Sequence, residues 1–393
     1  MRAWGLLLLI LLSPMAVSAR PQEEEPRRRL LGPRREAERA KALRQGGGSA
    51  ATEKAVIAGL DWLERHEAPG GGWDADGFGQ QCEEGPECDG IGKGQHGEAV
   101  PCPFNDAITA LAVLAFLGHG VEPGGEGHGA LVERGLKRLR SARTVWGLAL
   151  ATQAFAEADA LYPGRWRAAA HDGAQRLVDA QQEDGGWGYA AGFRPGSDVP
   201  YTALVVQALV AARDTGFELP EDLGVGVDTY LDSLERKAGR LAYLLNGRRY
   251  GYTPTTSNAH SAFAIRHLLG VGREGAAHRA HKALVLKNKP VWKISFRTVK
   301  VPGRGKVKVQ VGNLSMYQWW YGTIGCFQEG GSAWQGWFGK VKSALLSKQH
   351  KTGCKRGSWD PKGTYERQTG GRVFSTALGV LMLEQPYRHA RLK

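Results

Sequence analysis

Residues 180–212 read AQQEDGGWGYAAGFRPGSDVPYTALVVQALVAA, and they contain one complete helical hairpin. A helix ends at Gln181-Gln182, where the polar turn Glu183-Asp184-Gly185-Gly186 stops it. Glycine suits that place because it takes the left-handed conformation that side chains resist. Trp187 anchors the turn, and a loop then leads through Asp198 into an apolar helix beginning at Thr202-Ala203. Ser197, Asp198 and Thr202 are residue types whose short side-chain oxygens cap a helix start by accepting its unpaired amide protons.

The same start occurs six times, at Thr109, Trp146, Thr202, Ser261, Tyr321 and Thr376, with separations of 37, 56, 59, 60 and 55 residues. The aromatic turn recurs at Gly72-Trp73, Gly186-Trp187, Gly251-Tyr252 and Ser358-Trp359, and is missing from the second and fifth copies. Self-similarity at such a period marks a repeat architecture. Outer helices are expected from about residue 53 and over 130–140, 166–182, 222–236, 273–285 and 334–348. The inner helices, such as 111–117 and 203–211, are apolar nearly all round, as befits helices covered on both sides. Twelve helices in six antiparallel pairs follow, an all-α domain over 53–388 with a short C-terminal tail at 389–393.

With 393 residues and 42% apolar content the chain can bury a large core, and its 55 glycines fall at turns between helices. The N-terminus has Arg2, an apolar run from Leu6 to Leu12 and Val17-Ser18-Ala19, the pattern of a signal peptide cleaved after Ala19. The run is too short for a membrane span of about 20 residues. A secreted or periplasmic protein is therefore expected, not an integral membrane protein after cleavage. Residues 20–52, with Glu23-Glu24-Glu25, Arg27-Arg28-Arg29 and Gly46-Gly47-Gly48-Ser49, read as a flexible charged tether or a loosely helical arm over 36–43.

Export permits disulfides. Cys82, Cys88 and Cys102 share one glycine-rich loop, and Cys326 and Cys354 fall in the last third. One bridge within the loop and one between Cys326 and Cys354, leaving a thiol over, is preferred to zinc, since no CxxC pair exists and no histidine spacing reads as a metal set. No cofactor and no metal are expected. Asp74-Ala75-Asp76-Gly77 shares the opening of a calcium loop but lacks its later carboxylate, and reads as a solvated turn.

Residues 289–311, KPVWKISFRTVKVPGRGKVKVQV, alternate apolar and basic residues around Pro302-Gly303-Arg304-Gly305. Period-two alternation split by a Pro-Gly turn predicts an inserted β-hairpin. No Asp or Glu lies between Gly275 and Gln328, so much of the +13 net charge is local to this stretch. Lys293, Arg297, Lys306 and Lys308 are candidate polyanion-binding residues for an anionic envelope component. A positive edge that resists strand-to-strand aggregation explains them equally. With export, nucleic acid is not the expected partner.

A Gln-x-x-Gly-x-Trp turn joining an outer helix to an inner helix that starts Ser/Thr-Ala resembles the repeat of squalene-hopene cyclases, other terpenoid cyclases and protein prenyltransferase β subunits. The resemblance covers about residues 53–388 and implies an α/α toroid of about six hairpins. The ending GSWDPKGTYERQTGGRVFSTALGVLMLEQPYR is similar to exported bacterial prenyltransferase/squalene oxidase repeat proteins. The family's chemistry does not carry over. The cyclase acid motif Asp-x-Asp-Asp has only the partial match Asp74-Ala75-Asp76-Gly77, and the Asp-x-Cys zinc pair of prenyltransferases is absent.

In such a toroid the inner-helix N-termini gather around one mouth. Asp106, Asp198, Tyr201, His260, Tyr317, Trp320, Tyr321 and Arg372 fall there as candidate ligand contacts, with Asp106 and Asp198 the candidate acids. Helix capping accounts for Asp106, Asp198 and Asn258 as well, with Arg372 pairing one of them, and core packing accounts for the aromatics. The sequence thus points to a toroid that binds an apolar, isoprenoid-like molecule or a protein partner, with a divergent cyclase or prenyltransferase, or a structural envelope protein, as alternatives.

Overall fold

A computed structural model describes residues 29–82, 88, 104–188, 196–236, 239–242, 256–294, 296–301, 305–310 and 314–392. The expected leader and its expected cleavage point, Cys102 and the Gly251-Tyr252 pair lie outside them.

The turn of the opening hairpin is built as its sequence requires. Gln182 N–H donates to Gly186 O at 2.9 Å and Gly185 N–H to Gln182 O at 2.9 Å. Gly185 has φ of +87°, and a Cβ there would lie 2.4 Å from the Gly226 carbonyl oxygen. Trp187 ties both helices together: its indole N–H donates to Leu177 O at 2.6 Å and its amide to Thr202 Oγ1 at 3.0 Å. Trp73 repeats these bonds with Leu63 O and Thr109 Oγ1, and Trp359 with Leu345 O and Thr376 Oγ1. Thr202 is therefore the acceptor of the turn, while the helix starts earlier, at Val199, capped by Asp198, which accepts the Tyr201 N–H at 2.8 Å.

Helix α1 (Glu36–Gln45) precedes six hairpins, each an outer helix followed by an inner one. They pair α2 (Ala50–Arg65) with α3 (Asn105–Gly118), α4 (Gly129–Leu139) with α5 (Val145–Leu161), α6 (Arg167–Asp179) with α7 (Val199–Arg213) and α8 (Leu223–Leu234) with α9 (Thr256–Leu269). The fifth pairs α10 (Ala276–Lys287) with α11 (Met316–Glu329). The sixth runs from α12 (Gly331–Lys348) through α13 (Thr364–Thr369) to the inner helix α14 (Gly371–Leu383), and α15 (Gln385–Arg388) ends the chain's helices. Helices α3, α5, α7, α9, α11 and α14 contact one another in that order, and α14 returns to α3. The result is an α/α toroid whose inner helices are buried on nearly every side chain, α3 from Ala107 to Gly118 without a break. Among the described residues no helix is long and apolar enough to cross a membrane.

Strands β1 (Glu235–Arg236) and β2 (Arg240–Leu241) form a small antiparallel pair after α8. The inserted hairpin is present as β3 (Phe296–Val301) against β4 (Gly305–Gln310), with Lys300 opposite Lys306 and Thr298 opposite Lys308.

The arm before the first repeat takes the helical of its two expected forms, and it is docked on the toroid. Gly32 N–H donates to Arg388 O at 2.9 Å, Ala390 N–H donates to Leu30 O at 2.7 Å, and Leu30 is wholly buried. Arg34 and Arg388 both bond Glu157 of α5 at 2.7 Å, and they also donate to the Leu117 and Leu114 carbonyls of α3. Arm and tail together thus close the end of the ring where the inner helices finish. All three side chains of this cluster are at most 3% exposed.

The expected cysteine pairing is corrected: the described Cys82, Cys88, Cys326 and Cys354 are all free thiols. Cys326 is buried within α11, whereas Cys354, in the turn after α12, lies beside His66 instead.

Candidate functional site

Because every outer helix runs one way and every inner helix the other, the six inner N-termini share one end of the ring, opposite the end that arm and tail close. Two aromatic groups cross this mouth. Tyr317 of α11 reaches over to α7, its hydroxyl donating to Pro200 O at 2.8 Å. Tyr317, Trp320 and Tyr321 pack on one another with ring centroids 5.0–6.2 Å apart. On the other side Phe104 meets Trp146 at 5.2 Å, and Trp146 of α5 meets Phe374 of α14 at 6.5 Å. Tyr201 and Asp106 are half-buried at the same level, and Asp106 faces Gly147, where a Cβ would lie 3.2 Å from its own.

The candidates read from the sequence divide into two groups. Tyr201, Tyr317 and Asp106 stand at the mouth, with Trp320 and Tyr321 packed behind Tyr317 and almost wholly buried. Asp198, His260 and Arg372 instead serve the scaffold outside the inner ring. Asp198 caps α7. His260 lies between α9, α11 and the outer helix α12, its ring 5.7 Å from Trp337. Its Nδ1 bonds Thr256 O at 2.8 Å and its Nε2 faces Gln318 Nε2 at 3.2 Å, while Gln318 in turn accepts from Ser257. Burial pushes this imidazole down to about 4. Arg372 turns back to its own hairpin, bonding Ser358 Oγ at 3.1 Å and Asp360 at 2.8 Å, so Asp360 is a carboxylate partner that the sequence did not offer for it. Burial alone would raise the Asp360 carboxyl, yet hydrogen bonds from His350 and Arg372 hold it well below the usual range. Asp74 is likewise lowered: bonds from Asp76, Gly77 and Asn105 overcome its burial.

Sequence reasoning missed Glu366, a buried acid that accepts the Met316 N–H at the start of α11. Burial raises its carboxyl, and only its proximity to the mouth in the fold marks it. It also missed His66, which stands with Cys82, Cys88 and Cys354. Of the basic residues, the hairpin register places Lys306 and Lys308 at alternate positions of β4, with Arg297 opposite Val309 in the other register. Lys293 is exposed ahead of β3.

No family model matches the chain, and no curated protein matches it. Solved structures do. A variant of the type II terpene cyclase MstE from Scytonema, in complex with its substrate geranylgeranyl dihydroxybenzoate, aligns at 13% identity with a TM-score of 0.54, covering 88% of this chain and 99% of that one. An inactive variant of an α-1,6-mannanase of Salegentibacter sp. HEL1_6, in complex with α-1,6-mannotetrose, aligns at 11% identity with a TM-score of 0.54, covering 86% and 99%. The family 76 glycoside hydrolase Bt3792 from Bacteroides thetaiotaomicron aligns at 9% with a TM-score of 0.51, covering 86% and 97%. At these identities the likeness concerns the fold, which hosts unrelated chemistries. The chain shares their α/α-toroid fold.

Proposed function

We propose that this is an exported toroid that binds an apolar, isoprenoid-like molecule at the mouth formed by its inner-helix N-termini, without turning it over. The observation that carries this reading is the aromatic rim of Phe104, Trp146, Tyr201 and Tyr317, backed by the buried Trp320 and Tyr321, at one end of a ring whose other end is closed by Arg34, Glu157 and Arg388. Aromatic walls with few polar groups are the general form of a site for an apolar ligand. The likeness to MstE adds that such a toroid can take a geranylgeranyl chain.

The alternative of a divergent cyclase has one observation in its favour, the half-buried Asp106 at the same mouth. Asp198, the other candidate acid, is spoken for as a helix cap.

Titration of the purified protein with geranylgeraniol and with α-1,6-mannotetraose, followed by tryptophan fluorescence, separates the readings. Saturable binding of geranylgeraniol, weakened about tenfold or more in Tyr201→Ala and Trp146→Ala, with no product by gas chromatography–mass spectrometry, is the expected result. Mannotetraose binding alone would overturn the proposal in favour of a glycan site. A cyclised product that vanishes in Asp106→Asn would overturn it in favour of the enzyme.

A further inference from the structure

The first and last hairpins meet at a seam that no turn joins: α2 packs against α12 and α14, from the far end of the chain. Four metal-ligand side chains converge on that seam. His66 follows α2, Cys82 follows the single helical turn Phe78–Gln81, Cys88 comes shortly after, and Cys354 lies in the turn beyond α12. His66 Nε2 is 3.6 Å from Cys82 Sγ and 3.5 Å from Cys354 Sγ. With Cys88 Sγ included, all four ligand atoms lie within 4.8 Å of one another.

Those distances are the ones a tetrahedral zinc ion imposes. With Zn–S of about 2.3 Å and Zn–N of about 2.0–2.1 Å at the tetrahedral angle, nitrogen and sulfur sit about 3.6 Å apart. The histidine is also set for the task. Its Nδ1 lies 2.8 Å from the Trp62 carbonyl oxygen, which can only accept, so Nδ1 carries the proton and Nε2 presents its lone pair to the sulfurs. A backbone carbonyl on the far nitrogen is how metal-binding histidines are oriented. Trp62 stacks on the ring at 4.1 Å and Phe78 meets it edge-on at 6.5 Å. Trp62 and His66 are wholly buried and Cys88 is 2% exposed, while Cys82 and Cys354 are half-buried, so the cluster is walled off on its inner side.

We propose that Cys82, Cys88, Cys354 and His66 bind one zinc ion, which clips the first hairpin of the toroid to the last. A disulfide accounts for less, because a bridge joins two sulfurs and strands the third beside an imidazole aimed at it. Three thiolates and an imidazole select zinc over magnesium or calcium, and four protein ligands leave no open position, the mark of a structural site. The other cluster of ligand-type residues among the described ones, His267, His278 and Glu329, has its carboxylate already engaged by Lys282 at 2.6 Å and His267 at 3.2 Å. The zinc joins residues 288 positions apart, so its binding energy adds to folding by closing a long loop between the two ends of the toroid chain.

Full-length protein without a histidine tag, purified under reducing conditions, is expected to carry one zinc per chain by plasma mass spectrometry. Cobalt exchange should give the ligand-field and thiolate charge-transfer bands of a tetrahedral site, and chelation should lower Tm by roughly 10 °C. Cys354→Ser and His66→Ala should lose the metal, while Cys326→Ser, far from the cluster, should keep it. Should the first two fail to fold, pulsed alkylation of the wild type decides: Cys82, Cys88 and Cys354 must become reactive together when zinc is removed. Natively folded protein free of zinc, an iron centre in its place, or a disulfide between any two of the three cysteines in peptide maps would overturn the proposal. None of these readouts depends on what the mouth binds.

Discussion

A single tryptophan does most of the joining in each complete repeat. The Trp187 indole closes the outer helix at Leu177 and its amide reaches Thr202 on the inner one, so Gln-Gly-Trp is an instruction for assembling a hairpin, not for catalysis. Asp198, the acid nearest that turn, is accounted for in the same way, as the N-cap of α7. His260 shows what position in the fold does to a side chain that looked like a site residue. Its pKa falls from the ordinary 6.5 to about 4 because it is wholly buried, with the neighbouring His281 charge adding to that effect. A folded-state pKa below the unfolded value means that the unfolded chain takes up the proton first. The stabilisation is therefore full above pH 6.5 and is lost as pH falls toward 4, amounting to up to about 3 kcal/mol for this residue. Urea titrations of wild type and His260→Gln across that range should show a steeper acid loss for the wild type. Parallel pH profiles would refute the assignment.

At the scale of elements, the outer and inner helices were legible because their period and punctuation agree. The expected segments 130–140 and 334–348 appear as α4 (Gly129–Leu139) and α12 (Gly331–Lys348). The inner helices begin earlier than the Ser/Thr-Ala signature, since that threonine serves the turn and the cap lies upstream. The β3–β4 hairpin was equally plain, because alternation around a Pro-Gly turn has few other solutions. Its register sets Lys300 directly opposite Lys306, both exposed. Like charges at directly opposed positions are unfavourable, a cost that an anionic partner would relieve. The quadruple change of Lys293, Arg297, Lys306 and Lys308 to alanine should weaken binding to vesicles rich in phosphatidylglycerol at least tenfold. Wild-type binding should itself fade as salt rises from about 50 to 300 mM. Salt-insensitive binding, or binding unchanged in the quadruple variant, would leave the hairpin as a protected edge.

For the whole molecule, ring closure is what the sequence carried least. Arg34 of the arm, Glu157 of the second hairpin and Arg388 of α15 meet only because six hairpins bring the chain's ends together. Removing one partner from a buried charge cluster leaves the others uncompensated, at a cost of about 3–5 kcal/mol. Glu157→Gln, which takes the shared carboxylate from both arginines, should therefore lower unfolding free energy by that order in urea denaturation, and a change below about 1 kcal/mol would show the cluster to be incidental. The mouth and the seam are of the same kind. Nothing local distinguishes Tyr317, which bridges to α7, from His260, which packs outward, although both fall near inner-helix starts. His66 carries no motif, and Cys354 is far along the chain from Cys82 and Cys88. By itself the sequence determined the hairpins, their number and the hairpin insertion, because period, glycine turns and the Trp–Thr tie act between residues close in the chain. Only the tertiary structure decided which thiols meet, which acids are caps and which end of the ring is closed, because those depend on contacts between the first hairpin and the last.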